Sequence, residues 1–118
     1  ILIDDSIVRG TTSAKIIQNL KQAGAKEVHL RIASPPVRHG CHFGTDIDSE
    51  ENLIANQLSL DGICQKIGAD SLGYISIDGL KKACTGCALS FCTGCFDGGY
   101  PVDVGSGHTK GQFESDGV

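Results

Sequence analysis

Residues 1–13 read ILIDDSIVRGTTS. Three aliphatic residues lead into two adjacent acids, Asp4 and Asp5, and then into a polar run with Arg9, Gly10 and two threonines. A continuous aliphatic run suits the end of a strand buried on both faces of a parallel sheet. In such sheets ligands bind outside the carboxyl ends of the strands. The loop that follows opens a helix, whose N-terminus offers unpaired N–H groups and a partial positive charge. Gly10 lets backbone approach an anion, and the hydroxyls of Ser6, Thr11, Thr12 and Ser13 add donors. The loop therefore suits a phosphate monoester. Asp4 and Asp5 cannot face that phosphate without repulsion. They suit groups that donate hydrogen bonds, such as ribose hydroxyls, or a hard cation such as Mg²⁺. A sugar phosphate satisfies both halves at once. An ordinary strand-to-helix turn with Ser and Thr caps uses the same residue types. The conjunction of two aspartates, a glycine and a hydroxyl run is more specific than that. It is not a P-loop, because no Gly-Lys-Ser/Thr is present.

The rest of the chain reads outward from this junction as an α/β protein. Ala14, Ile16, Ile17, Leu20 and Ala23 recur at helical steps and predict a helix from about Thr12 to Ala23, stopped by Gly24. Val28, Leu30 and Ile32 alternate with His29 and Arg31, which predicts a second strand. A strand, a helix and a strand normally cross over right-handed onto a parallel neighbour. Pro35 and Pro36 end that strand. Ser49 is expected to cap a helix over Glu50 to Asn56, and Ser59 another that Gly68 ends. Ser71 to Ser76 predicts a short strand, and Ser76 a cap for a helix from Ile77 to about Ala83. Asp46 and Asp48 read as caps rather than as a metal site. His29 reads as the other face of a strand, and His39 and His42 as ordinary loop residues beside Cys41. From residue 105 to 118 the tail is rich in Gly and polar residues, without periodicity, and is expected to be disordered.

The chain has 118 residues with 40% hydrophobic and 20% charged, which fits one globular domain. Its net charge of -4 argues against non-specific nucleic-acid binding. No apolar run reaches the roughly 18 residues of a membrane span, and no signal-peptide pattern is present. Met is absent and the chain opens inside an expected strand, which predicts a piece of a longer protein.

Six cysteines are many for this length. Cys84-x-x-Cys87 and Cys92-x-x-Cys95 lie close together, and such spacing points to a metal rather than to disulfides. These four could bind Zn²⁺, although the gap between the pairs is shorter than the usual ribbon spacing. Cys64 reads as a small buried hydrophobe on a helix.

The stretches "LIDDSIVRGTTS", "AGAKEVHLRIASPP", "IGADSLGYIS" and "CTGCFDGGYPV" together resemble successive blocks of the amidophosphoribosyltransferase family, in order, from Ile1 to about Val104. The resemblance implies that residues 1–104 are the C-terminal part of a type I phosphoribosyltransferase domain, truncated at its N-terminus. It implies a parent enzyme that transfers glutamine-derived ammonia to phosphoribosyl pyrophosphate (PRPP), giving 5-phosphoribosylamine and pyrophosphate in purine synthesis. Asp4 and Asp5 then take the Mg²⁺-PRPP role, and Ser6, Ile7, Val8, Arg9, Gly10, Thr11 and Thr12 the 5'-phosphate role. Arg9 either touches phosphate or points to solvent. None of these acts as a general base. One subset of the family holds a [4Fe-4S] cluster, and this resemblance carries Cys41, Cys92 and Cys95 onto three ligand positions, with a fourth expected upstream. Zn²⁺ stays open as the alternative, and Cys84 and Cys87 are extra. The resemblance further implies a homo-oligomeric cytoplasmic parent under purine-nucleotide feedback, with no nucleic-acid or membrane partner. Two departures from the family stand out. Gly40 replaces a usual proline before Cys41, and Asp97-Gly98-Gly99 replaces a more typical run. The rival readings are another PRPP-dependent phosphoribosyltransferase, a PRPP-making synthetase, or a non-catalytic PRPP-binding regulator. The isolated chain is expected to be inactive.

Overall fold

The structure is a computed structural model that describes residues 1–86 and 90–105. The expected disorder of the tail and the position of Cys87 lie outside the described residues. Three short strands, β1 (Leu2–Asp4), β2 (His29–Ile32) and β3 (Ser71–Tyr74), form a parallel sheet in the order β1-β2-β3. Leu2 pairs with Leu30 and Leu30 with Leu72, so one row of leucines crosses the sheet. This is the parallel arrangement that the strand–helix–strand order predicts.

Helix α1 (Thr11–Gln22) and helix α3 (Leu60–Ile67) cover the leucine face. The core gathers Ile17 from α1 and Ile63 and Ile67 from α3 over Leu30 and Ile32, with Ile7 and Ile54 sealing the end near the first loop. Leu30, Leu53 and Ile54 are fully buried. Each such side chain contributes about 1.5–3 kcal/mol over its exposed state. The buried face of α1 is narrower than the apolar spacing predicts. It centres on Ser13 and Ile17, while Leu20 is 38% exposed. Gly24 follows α1 with φ 103°, and the N–H groups of Gly24 and Ala25 close the helix on Lys21 and Leu20 carbonyls.

Two expectations need correction. The first strand is not buried on both faces. Ile3 is 74% exposed, because it pairs with Arg31 on the side of the sheet away from α1 and α3. Ser49 does not cap a helix over Glu50 to Asn56. Glu50–Asn52 form a 3₁₀ turn without a side-chain cap, and Leu53 then becomes extended before α2 (Ile54–Gln57) begins. Leu53, with ψ 120°, leaves the helical region and so divides the expected helix into two short pieces.

The other caps form as predicted. Ser59 Oγ accepts from the Gly62 N–H at 3.2 Å, and Ser76 Oγ accepts from the Gly79 N–H at 3.0 Å at the start of α4 (Ile77–Ala83). A last short helix, α5 (Gly94–Asp97), carries Cys95.

Asp70 is the unforeseen tie of the fold. Its Oδ2 accepts from the Val28 N–H at 2.7 Å and lies 3.0 Å from Lys21 Nζ, so one carboxylate joins the entries of β2 and β3 to the end of α1. The Val28 N–H, and after it Lys21, hold this carboxyl below the usual carboxylate range. A lowered folded-state value stabilises the fold above the unfolded value of about 4, and that contribution is lost as pH falls through the folded value. Asp70→Asn keeps an acceptor for Val28 but no charge. It is expected to lower stability at pH 7 and to flatten the acid-side fall, both measured by denaturant unfolding at pH 7 and pH 3. Gly10 gives a second expectation. Its φ is 81°, and a Cβ there would sit 2.8 Å from Ile54 Cδ1 and 3.2 Å from Ile67 Cγ2. Gly10→Ala should therefore cost about 1–3 kcal/mol in the same unfolding measurement.

Candidate functional site

The carboxyl end of β1 opens directly into a cleft of about 430 Å³. The run from Asp4 to Ser13 forms one wall, and Asp46 and Asp48 reach it from the other. Asp4 closes β1, and its carbonyl accepts from the Ala33 N–H at 2.9 Å, which extends the ladder past the strand. Its side-chain Oδ1 accepts from the Asp5 N–H at 2.9 Å, and Ser6 Oγ donates to Asp5 Oδ1 at 3.1 Å. Both carboxylates are thus oriented by local donors at the rim of the cleft.

The loop is anchored from beneath. Ile7 is 2% exposed and plugs into the core, while the Val8 carbonyl accepts from the Ile54 N–H at 2.9 Å. Gly10 then turns left-handed, and its carbonyl accepts the first helical bond from Ala14 at 3.0 Å. Gly10 makes no side-chain cap, and the first turn of α1 holds no acid. The partial positive charge at that helix end is therefore not countered by its own side chains. The role expected of Gly10 changes here. Its bare side faces Ile54, Ile67 and Ile7 rather than the cleft, so the glycine serves close packing under the loop. Thr11 and Thr12 are exposed at the cleft, and Ser13 is 3% exposed beneath them. Arg9 has a partner that sequence reading did not supply, since its guanidinium stands 3.5 Å from Asp48 Oδ2.

The cysteine region is built by a second set of contacts. The Arg38 and His39 N–H groups both donate to the Cys95 carbonyl, at 2.9 and 3.0 Å. The loop after Pro35 and Pro36 is thereby stitched to α5. Tyr100 adds a further tie. Its hydroxyl donates to the Gly40 carbonyl at 2.6 Å, its ring packs edge-on against His42 with centroids 4.8 Å apart, and it covers Gly94, where any side chain would strike the ring. The Gly99 N–H, and after it Thr93 Oγ1, donate to the Asp97 carboxylate and hold it below its ordinary range. In this way Asp97, Gly98 and Gly99 close the short helix.

Cys41, Cys92 and Cys95 are free thiols. The Phe43 N–H donates to Cys41 Sγ at 3.4 Å, and the Gly94 N–H to Cys92 Sγ at 3.3 Å. That donation from Phe43 lowers the Cys41 thiol, while burial foremost raises Cys95. Among the described residues no three His, Cys, Asp or Glu side chains are grouped to hold a single metal ion. Cys64 is half-buried and donates to the Ala69 carbonyl at 3.3 Å, apart from this region. His39 bonds Glu50 Oε1 through Nδ1 at 3.0 Å, and His29 lies between Ser71 and Glu27, so both are engaged as ordinary polar residues. Sequence reading missed Asp46, Asp48 and Tyr100. Each reaches its place by loop closure over long sequence distance, which no local pattern encodes.

No protein-family model matches the chain. Curated relatives do. Amidophosphoribosyltransferase 1, chloroplastic, of Arabidopsis thaliana is 50% identical over 121 residues, covering 100% of this chain and 21% of that protein. The amidophosphoribosyltransferase of Synechocystis is 53% identical over 88% of this chain, and that of Bacillus subtilis 44% identical over 88%. The solved glutamine PRPP amidotransferase of B. subtilis, in complex with ADP and GMP, superposes with a TM-score of 0.77 at 45% identity, covering 88% of this chain and 24% of that one. A solved allosteric regulatory enzyme of purine biosynthesis superposes with a TM-score of 0.78 at 46% identity over 88% of this chain. The chain thus spans about a fifth of the length of the curated relatives it matches. Its three-stranded parallel sheet is part of a type I phosphoribosyltransferase fold. The chain belongs to the amidophosphoribosyltransferase family.

Proposed function

We propose that this chain is the PRPP-binding segment of an amidophosphoribosyltransferase. The whole enzyme joins ammonia released from glutamine to C1 of PRPP, expels pyrophosphate and yields 5-phosphoribosylamine, the first step of de novo purine synthesis. One observation carries this reading. A pair of oriented carboxylates and a helix N-terminus that bears no acid in its own first turn line one cleft, joined by one short loop.

The chemistry follows from that arrangement. The backbone N–H groups and hydroxyls from Ser6 to Thr12 take the 5'-phosphate, with Ile7 and Val8 contributing backbone alone because Ile7 is buried. Asp4 and Asp5 accept hydrogen bonds from the ribose diol. They also suit Mg²⁺, which binds through one or two carboxylates and takes its other ligands from phosphate and water. When bound, Mg²⁺ neutralises the departing pyrophosphate. The protein supplies position and charge balance, with no nucleophile or general base of its own in this segment.

The thiols suit an iron–sulfur cluster, with Zn²⁺ as the alternative. All three candidate donors are thiols, and Cys41 comes from a different loop than Cys92 and Cys95. A four-iron cluster is normally held by four cysteines. Cys41, Cys92 and Cys95 hold it in this proposal, and a further cysteine elsewhere in the polypeptide completes the set. The cluster's part is to pin α5 to the loop after Pro36. Purine nucleotides are the proposed regulators, in line with the ADP and GMP bound to the B. subtilis neighbour. The parent is a cytoplasmic homo-oligomer in this proposal, whereas the name of the Arabidopsis relative places that protein in the chloroplast. Among the described residues no helix is long and apolar enough to cross a membrane.

Titration calorimetry of the full-length protein with Mg²⁺-PRPP tests the site. A hydrogen bond to a charged group contributes about 1.5–3 kcal/mol, so Asp4→Asn with Asp5→Asn should weaken binding by at least about 100-fold. Undiminished affinity would contradict the assignment. For the cysteines, purified protein should be brown with iron and sulfide in about equal amounts, and Cys92→Ser should bleach it. Colourless protein carrying zinc alone would reject the cluster.

A further inference from the structure

On the PRPP reading above, on which this inference rests, Arg9 lies in the phosphate loop and lines the cleft. Its guanidinium stands 3.5 Å from Asp48 Oδ2, with side chains 66% and 22% exposed. The Asp48 carboxylate is itself fixed. Its Oδ1 accepts from the Ser49 N–H at 2.8 Å and from Asn52 Nδ2 at 3.1 Å. Asn52 also donates to Ser49 Oγ at 3.0 Å, and its own N–H donates to the Ser49 carbonyl at 2.8 Å. That turn is rooted in the core by Leu53, which is 0% exposed. One carboxylate oxygen is therefore held by the turn, and the other faces Arg9 across the cleft.

A guanidinium carries five N–H donors in a rigid fork, and one carboxylate oxygen at 3.5 Å occupies only part of it. The remaining donors are open to a phosphate oxygen. An unheld arginine loses much rotamer freedom when it clamps an anion. A partner that holds the fork beforehand removes part of that cost. The opposing effect is repulsion between Asp48 and the incoming phosphate. At an exposed cleft that repulsion is screened, and the adjacent guanidinium balances the charge.

We propose that Asp48 is a positioning residue for the sugar phosphate, holding the Arg9 guanidinium at the rim of the cleft ready to take a phosphate oxygen. It acts through Arg9 and touches no reacting atom. The 3₁₀ turn at Glu50–Asn52 gains a function from this, since it aims Asp48. The proposal also ties the loop that carries Cys41 to the phosphate end of the cleft.

Steady-state kinetics on the full-length protein test it, with Asp48→Ala, Asp48→Asn, Arg9→Ala and the Arg9→Ala/Asp48→Ala double variant. Asp48→Ala should raise the KM for PRPP by about 3–10-fold with kcat unchanged, and should lower the melting temperature because Ser49 and Asn52 lose their acceptor. Asp48→Asn, which keeps an oxygen acceptor, should recover part of the loss. In the Arg9→Ala background the Asp48 change should add nothing further. A KM that is unchanged or lowered in Asp48→Ala overturns the proposal, and so does an equal rise in the Arg9→Ala background. Wild-type protein that neither binds nor turns over PRPP removes the functional reading and this inference together. Wild-type protein that does both, with a KM indifferent to Asp48, removes the inference alone.

Discussion

The seat of the first loop on Ile54 is the constraint on which the site depends. The Ile54 N–H donates to the Val8 carbonyl at 2.9 Å, and the Ile54 side chain fills the space under Gly10 that any Cβ would claim. Ile7 enters the same core from the loop itself. With its apolar side chain and one carbonyl committed below, the loop presents its remaining backbone and hydroxyls to the cleft. An anion site made of backbone needs this kind of support, because amides bind well only if they are already aimed. The core and the site are therefore one construction. Ile54 is fully buried for packing, and that burial fixes where Val8 and Gly10 stand.

The cysteine region and the first loop are both tied to the segment from Pro35 to Ile54. At its start, Arg38 and His39 bond the Cys95 carbonyl, and Tyr100 reaches back to Gly40. Near its end, Asp46 and Asp48 line the cleft and Ile54 seats the loop. The cysteine region and the cleft therefore share one connecting segment. In physical terms, a change in the first has a short covalent route to the second. Gly40 gives its carbonyl to Tyr100, a bond that steadies the backbone just before Cys41.

Much of this was legible in the sequence because it depends on local chemistry. Hydrophobic alternation placed β2 at Val28 to Ile32 with a one-residue error, Ser59 and Ser76 announced their helices, and the Asp4–Thr12 string marked the cleft wall. What stayed hidden depends on distance. Ile3 looked like a two-sided core residue, yet its pairing with Arg31 sets it on the open side. Ser49 suits a helix cap by type, yet the extended Leu53 splits that helix into a 3₁₀ turn and α2. Gly10 was read for its freedom next to an anion, when the tighter demand comes from Ile54 beneath it. Asp70 gave no local signal, since its partners Val28 and Lys21 are more than forty positions away. Asp48 reads locally as a cap, because its contact with Arg9 exists only after folding.

The most direct test is a crystal structure of the full-length protein with ribose 5-phosphate bound. The account predicts density for the phosphate against the backbone N–H groups between Ser6 and Thr12, and for the sugar diol within hydrogen-bond distance of Asp4 and Asp5. Density with the phosphate bound elsewhere, or with the sugar reversed so that its diol meets the helix end, would contradict it.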